Sequence, residues 1–431
     1  MDVQNQILLY LIDDALVKLR KKRSASHLMK DFELLRESVQ RNHSNDIEKW
    51  HGLFQQCHEL YGELGGVLTA DHWQSPAFDE VGVNEVGDEQ GKIIANVNDY
   101  KRDQHPTGIT YEKAYANEYV VRSFIATPTA YATTSGMAAL LVASLIVRHR
   151  LPDQYRIAVG AHSYFENQEL LHMMFPPSAL IPFDEQNPEG LKTIRPNAIF
   201  LDTLANDPDM TAAHMPEIFS IARNLGHHVD VVVDATCTSA ANVQVPKILG
   251  SISVMVFESL NKFHQFGLDR TTGGILWAVG ILNDTIYRTR DHAGVNISEM
   301  AAAIMPTPNR KMHALYLGRL QKNAKRIEET LKHVPTIRVT YSGGPFVSVE
   351  FPARTWKLYQ KAIHSMLIDA KKKHVPIVAG STFGTPITRI YTWSPRSPFE
   401  KSFLRIAPGL ESPEQMDDVC ELIYDTCVKQ H

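Results

Sequence analysis

Between residues 155 and 279 the chain alternates short, near-continuous apolar runs with helical stretches, and this alternation narrows the available folds more than any other feature. The runs are Tyr155 to Val159, Ala198 to Leu201, Val229 to Val233, Ile252 to Phe257 and Gly274 to Val279, with a shorter one near Leu180 to Pro182. A strand that is apolar at consecutive positions has both faces covered, so these runs read as a mostly parallel sheet between helices. Gly136 to Val147, Gln168 to Met174 and Met215 to Leu225 carry the helical period that would supply the cover. The expected class is α/β.

The flanks differ from this centre. Residues 1–65 read as a helical extension, with apolar side chains at Leu8, Leu11, Ala15, Leu19, Leu28, Phe32, Leu35 and Val39. Helices of this kind more often pack on their own subunit or its dimer mate than recruit a partner. Residues 66–109 read as an irregular arm, rich in glycine and acid over about 66–95. Residues 110–295 form the large α/β domain and 296–431 a smaller α+β domain. In the latter, Pro306 and Pro308 precede a long helix over about 309–333. Thr336 to Tyr341 and Pro345 to Phe351 face each other across Ser342-Gly343-Gly344 as a hairpin. A helix near Thr355 to Lys373, a strand near Pro376 to Ala379, the segment Phe403 to Ala407 and a helix Pro413 to Val428 follow.

A net charge of −4 leaves no electrostatic footprint for nucleic acid. The local basic cluster Lys18 to Arg23 reads as a solvated helix face. No apolar run reaches the ~20 residues that span a bilayer, and no signal peptide is expected. The four cysteines, Cys57, Cys237, Cys420 and Cys427, lack metal spacing; Cys420 and Cys427, seven apart, read as core thiols, and the protein as reduced and cytoplasmic. His227 and His228 are adjacent on a strand, hence on opposite faces, and no H-E-x-x-H is present. No G-x-G-x-x-G follows a strand, which argues against a nicotinamide enzyme.

The chemistry gathers at strand ends. Glu258-Ser259-Leu260-Asn261-Lys262 follows the run Ile252 to Phe257 and precedes Gly273-Gly274. A lysine there is either snorkelling to solvent or serving as a Schiff-base anchor for a cofactor aldehyde. Asp234 ends the run Val229 to Val233, where it would pair a protonated ring nitrogen or merely cap a helix. Ser135-Gly136-Met137 opens a helix whose free N–H groups suit a phosphate, unless it is only a loop and cap. Tyr164 would stack on a ring or fill the core, and Asn206 would bond a phenolic oxygen or make a turn. Arg405, in the apolar setting Leu404-Arg405-Ile406, would grip a carboxylate or form a structural ion pair. All of the large-domain candidates except Ser135 and Gly136 lie just after expected strands, where open α/β sheets bind ligands.

These motifs resemble the cysteine/methionine-metabolism family of pyridoxal-phosphate enzymes, which includes cystathionine synthases, cystathionine lyases and methionine γ-lyase. The resemblance runs over about 96–431. Asn98 to Thr107 looks like the family's Y-x-R-x-x-N-P-T, and Ser135-Gly136-Met137 its S-G-M. Asp202-Thr203-Leu204-Ala205-Asn206 is similar to E-T-P-S-N, Asp234-Ala235-Thr236 to D-N-T and Ser259-Leu260-Asn261-Lys262 to S-A-T-K. Leu404 to Glu411 is similar to R-x-S-V-G-x-E.

The resemblance implies a fold-type I, aspartate-aminotransferase-like architecture with pyridoxal 5′-phosphate as cofactor. Lys262 would be the Schiff-base lysine and proton shuttle, Asp234 the pyridinium partner and Tyr164 the stacking ring. Ser135, Gly136, Met137, Thr236, Ser259 and Asn261 would surround the cofactor, with Asn206 on its ring. Tyr100 and Arg102 would reach a neighbouring subunit's phosphate, implying a homo-oligomer, dimer or tetramer, with a shared site; Tyr100 would also serve as acid or base. Arg405, with Ser381, would bind the substrate carboxylate. The implied reaction is β- or γ-elimination or replacement on an amino acid, with transamination, side-chain cleavage or a non-catalytic scaffold as alternatives. His105, Ala407-Pro408 and Pro386 depart from the family pattern and bear on the substrate, while the extension 1–65 is additional to it.

Overall fold

The computed structural model describes residues 2–20, 22, 25–42, 46–70, 105–120, 129–205, 207–352, 355–392 and 402–428. The apolar runs become the centre of a seven-stranded sheet. Its strands are β1 (Tyr131–Thr133), β2 (Ile157–Gly160), β3 (Leu180–Phe183), β4 (Ala198–Asp202), β5 (Val229–Asp234), β6 (Ile252–Ser259) and β7 (Gly274–Val279). They lie in the order β1-β7-β6-β5-β4-β2-β3, with only β7 antiparallel to its neighbours. Residues 260–273 join β6 to β7 without a crossover helix, and only an antiparallel neighbour can be reached that way.

The two-sided burial expected of these strands is visible along β6. Val254 and Val256 enter one apolar cluster, with Ile199, Val231 and Trp277. Met255 and Phe257 enter the other, with Phe200, Val232 and Leu276. Helix α4 (Pro106–Tyr119) and α7 (Met215–Arg223) cover the first face through Tyr115, Tyr119, Ile218 and Phe219. Helices α5 (Gly136–Arg150) and α6 (Phe165–Met174) cover the second through Leu140, Val142, Ile146 and Leu171. Within β5 the buried Asp230 is answered by Arg150 at 3.0 Å.

After α8 (Asn283–His292) and α9 (Glu299–Ile304), the long helix α10 (Arg310–Leu331) leads to a second sheet. It contains β8 (Arg338–Thr340), β9 (Val347–Glu350), β10 (Ile377–Ala379), β11 (Thr388–Thr392) and β12 (Leu404–Ala407), in the order β10-β11-β12-β9-β8. The β8–β9 hairpin is antiparallel, as its glycine turn predicts. Helices α11 (Trp356–Lys373) and α12 (Pro413–Val428) pack on this sheet with α10 around Val349, Tyr359, Met366, Ile406, Met416 and Ile423. Elements absent from the sequence reading are α4, α8, α9, β1 and β11.

The extension folds as three helices, α1 (Val3–Leu19), α2 (Ser26–Gln40) and α3 (Ile47–Thr69). Asp2 caps α1 and Asp46 caps α3, each accepting from the first-turn backbone. Their apolar stripes meet each other and then the chain's own body, reaching Phe263, Phe266 and Leu268 after β6. The same cluster takes in Tyr316 and Leu320 of α10, Phe346, Phe383 and Leu410. Gln4 Nε2 donates to Gln415 Oε1 at 2.9 Å, and Arg319 pairs with Asp2 at 3.0 Å. The extension therefore bridges both sheets of one subunit. Lys18, expected on a solvated face, instead turns inward to Asp14 at 2.8 Å and the Met305 carbonyl at 2.5 Å.

Candidate functional site

The strand ends converge on a cavity of about 240 Å³. Ser135, Gly136, Met137, Tyr164, Asp234, Thr236, Ser259, Asn261, Lys262, Ser381 and Arg405 all line it. Tyr100, Arg102 and Asn206 lie outside the described residues. Ser135 and Gly136, which the sequence reading left without a strand, follow β1 directly.

The floor is built from backbone approaches that tolerate no side chain. Ser135 caps α5, its Oγ accepting from Ala138 N at 3.1 Å. A Cβ on Gly136 would stand 3.1 Å from Ser259 Cα, and one on Gly274 would meet the Ser135 carbonyl oxygen at 2.1 Å. Glycine at both positions lets the N-terminus of α5 close against the end of β6, leaving its N–H groups and positive dipole facing the cavity. Ser259 N donates to Thr236 Oγ1 at 3.0 Å, and Asn261 Oδ1 accepts from Gly273 N at 3.0 Å, so the two strand ends and the lysine loop are tied together.

Asp234 and Asp202 are register partners at the ends of β5 and β4, and both are buried. Asn167 Nδ2 donates to Asp234 Oδ2 at 2.8 Å, and Thr236 N to Asp234 Oδ1 at 2.8 Å. Tyr164 N donates to Asp202 Oδ2 at 3.0 Å. Burial raises both carboxyls above the usual range, and Asp234 lifts Asp202 further. Among the described residues neither carries an ion pair. A buried carboxylate pair without a cation is a site for a ligand that brings one.

Across the cavity, Lys262 Nζ donates to Thr382 Oγ1 at 2.9 Å and lies 5.1 Å from the centre of the Phe383 ring. Burial, then the nearby Arg405 guanidinium, lowers its proton affinity. Arg405 stands on β12 and donates to the Ser381 backbone carbonyl, so Ser381 contributes its main chain to holding this cation. Its guanidinium lies 5.3 Å, 5.5 Å and 5.7 Å from the ring centres of Phe383, Tyr391 and Phe346, and burial pushes its pKa down to about 10. The site thus has an anionic end, a cationic end and a helix N-terminus. Asn167, Asp202, Thr382 and Phe383 were not singled out in the sequence. Asn167 sits one helical turn after Tyr164, a spacing that offered a signal; Thr382 and Phe383 offered only their place beside Ser381.

Glu258, one residue before Ser259, points to the opposite face of β6. Its Oε1 accepts from His264 Nε2 at 2.7 Å and from the Tyr115 hydroxyl, and its Oε2 from Ala240 N at 3.0 Å. Burial raises this carboxyl, but His264 and the hydrogen bonds outweigh it and hold it net below the usual range. His313 stacks on His264 at 4.7 Å, and burial pushes its pKa down to about 3. Among the described residues no group of three or more side chains could hold a metal ion.

This donor set fits pyridoxal 5′-phosphate. Asp234 suits the protonated ring nitrogen, the α5 N-terminus with Ser259 suits the phosphate, and Lys262 suits the aldehyde. The comparisons with known proteins agree. The model for Cys/Met metabolism PLP-dependent enzymes matches residues 80–367. The bifunctional enzyme flvA of Aspergillus flavus is 24% identical over 316 residues, which cover 65% of this chain and 37% of that protein. The chain thus spans little more than a third of the curated relative it matches. The crystal structure of cystathionine gamma synthase from Xanthomonas oryzae pv. oryzae superposes with a TM-score of 0.64 at 18% identity, over 80% of this chain and 90% of that one. Apo CalE6, a methionine gamma lyase from Micromonospora echinospora, gives 0.60 at 19% identity over 76% and 88%. At that identity the superpositions establish the fold, that of the fold-type I enzymes. On the family match, supported by this fold, the chain belongs to the Cys/Met metabolism PLP-dependent enzymes.

Proposed function

We propose that the protein uses pyridoxal 5′-phosphate to break or exchange a carbon–sulfur or carbon–oxygen bond at the β or γ carbon of an amino acid. The observation that carries this reading is the Lys262 amine, buried opposite an anionic pocket and beside a buried guanidinium. When bound, the cofactor supplies an electron-poor ring that spreads negative charge developing at the substrate α-carbon. Asp234 would hold the proton on the ring nitrogen, and Asn167 and Thr236 fix that carboxylate in place. Arg405 binds the substrate carboxylate. Lys262 Nζ, its proton affinity lowered and its position set by Thr382, takes the α-proton and returns it to the departing group in elimination or to the product's carbon in replacement.

The reading extends to a homo-oligomer in a reducing cytoplasm, with Tyr100 and Arg102 reaching a neighbour's site. It also places the domain division near residue 295. The four buried, unbridged cysteines support the reducing compartment. The test is the full chain loaded with cofactor. A visible absorption band fixed by borohydride is expected, with release of a leaving group from a β- or γ-substituted amino acid together with a keto acid (elimination) or a newly substituted amino acid (replacement). A colourless protein, or conversion only to pyridoxamine phosphate, would overturn it.

Asp234→Asn separates stability from function. The raised carboxyl costs the cofactor-free fold stability at neutral pH, because its folded pKa lies above the unfolded value. The amide is expected to remove that pH-dependent cost while turning its NH2 toward one of the two N–H donors, Asn167 Nδ2 or Thr236 N, and to weaken cofactor retention at least about tenfold. Thermal denaturation with and without cofactor reads both effects, and a cofactor affinity left intact would sink the role.

A further inference from the structure

We infer that Phe383 is the specificity-determining residue of this site, and that it restricts the substrate to amino acids with a short, uncharged side chain. The inference deepens the proposed function and rests on it for the assignment of Arg405 to the substrate carboxylate. Phe383 is 5% exposed and lines the cavity. The Lys262 amine lies 5.1 Å and the Arg405 guanidinium 5.3 Å from its ring centre. An amino acid with its carboxylate on Arg405 and its α-carbon within reach of Lys262 therefore lies along this ring. The remaining α-substituent meets an aromatic wall.

The wall cannot retreat. Phe263 and Phe346 hold the ring from behind at 5.8 Å and 5.1 Å. The next residue, Gly384, has φ +71°, and a Cβ there would meet the Lys262 carbonyl oxygen at 2.1 Å, so the backbone is pinned against the lysine loop. A cationic side chain would meet two cations already drawn to one ring, and a long apolar one would need the ring displaced from its packing. A short neutral side chain needs neither. Leu204 and Cys237, also on the cavity wall, add no charge that would favour an ionic side chain.

The experiment measures binding of alanine, 2-aminobutyrate, norvaline and norleucine to the cofactor-loaded full chain, by calorimetry and by the shift of the visible band. In the wild type, affinity is expected to fall by about tenfold or more on passing from 2-aminobutyrate to norvaline, the scale of one methylene refused by a pocket. Phe383→Ala should flatten the series, and Phe383→Leu, which keeps an apolar core residue, should give an intermediate slope. A flat wild-type series overturns the inference, as does an equally steep one in Phe383→Ala with the visible band intact. If no amino acid binds the wild type, the Arg405 assignment falls and the inference falls with it. If the series behaves as expected but no β- or γ-substituted amino acid turns over, selection by Phe383 stands and the proposed reaction falls.

Discussion

Lys262→Ala is expected to lower turnover by about 10³-fold or more while leaving the protein folded. Moving a proton at the substrate α-carbon is worth roughly 10²–10⁴ when a positioned base does it, and the loss of covalent attachment adds to this. Among the described residues lining the cavity there is no second amine to replace it. Arg405, the neighbouring cation, is held by the Ser381 carbonyl and flanked by three aromatic rings, and a guanidinium does not give up its proton at neutral pH. Stability should hold or rise, because the substitution deletes an ammonium whose burial opposes its charge. Cofactor should still bind through Asp234 and the α5 N-terminus, though no longer fixed by borohydride. Full turnover in the variant, checked by keto-acid release, would remove Lys262 from the chemistry.

Glu258→Ala should have the largest effect on stability. Removing one partner of a buried pair leaves the other desolvated, at a cost of about 3–5 kcal/mol. Here the loss is shared among His264, the Tyr115 hydroxyl and Ala240 N, all of which spend a hydrogen bond on this carboxylate. Because its folded proton affinity is below the usual value, the carboxylate's stabilisation is present above the ordinary glutamate range and is lost as pH falls through the depressed folded pKa. Glu258→Gln should therefore flatten the acid side of the stability curve, and Glu258→Ala should lower the whole curve. Denaturant melts across that range check both. An unchanged midpoint in the alanine variant would show that the cluster relaxes freely.

The central sheet was legible in the sequence because its strands are buried on both faces and so write their burial into consecutive residues, as Val254 to Phe257 do. The site was legible because its chemistry sits where those strands end: Asp234, Ser259 and Lys262 follow directly. What stayed hidden has local causes. β1 is three residues long, and β11 buries the polar Thr388 and Thr392 on either side of Ile390, so neither carries a clear apolar period. Helix α4 shows no clean apolar stripe because Glu112 turns inward to meet Arg290 and the backbone of Ala132. Thr382 and Phe383 act through a fold-level approach of the small sheet to the lysine loop, which no local pattern encodes. Asp202 sat in the quoted motif, but its significance comes from lying beside Asp234 across two strands.

The bridge between Gln4 and Gln415 spans 411 residues. During synthesis at about 5–20 residues per second, α1 would wait roughly 20–80 s for the α12 residue it finally meets. Over that interval Ile7, Leu8, Leu11 and Ile12, all buried in the finished protein, are shielded first by α2 and α3 and then by Phe263, Phe266, Tyr316 and Leu320 as these emerge. The three helices can associate early through contacts close in sequence, which form quickly. The part of their outer stripe that meets Phe383, Ala407 and Leu410 stays open until those residues arrive, so slowing the C-terminal region would prolong the exposure of that apolar surface.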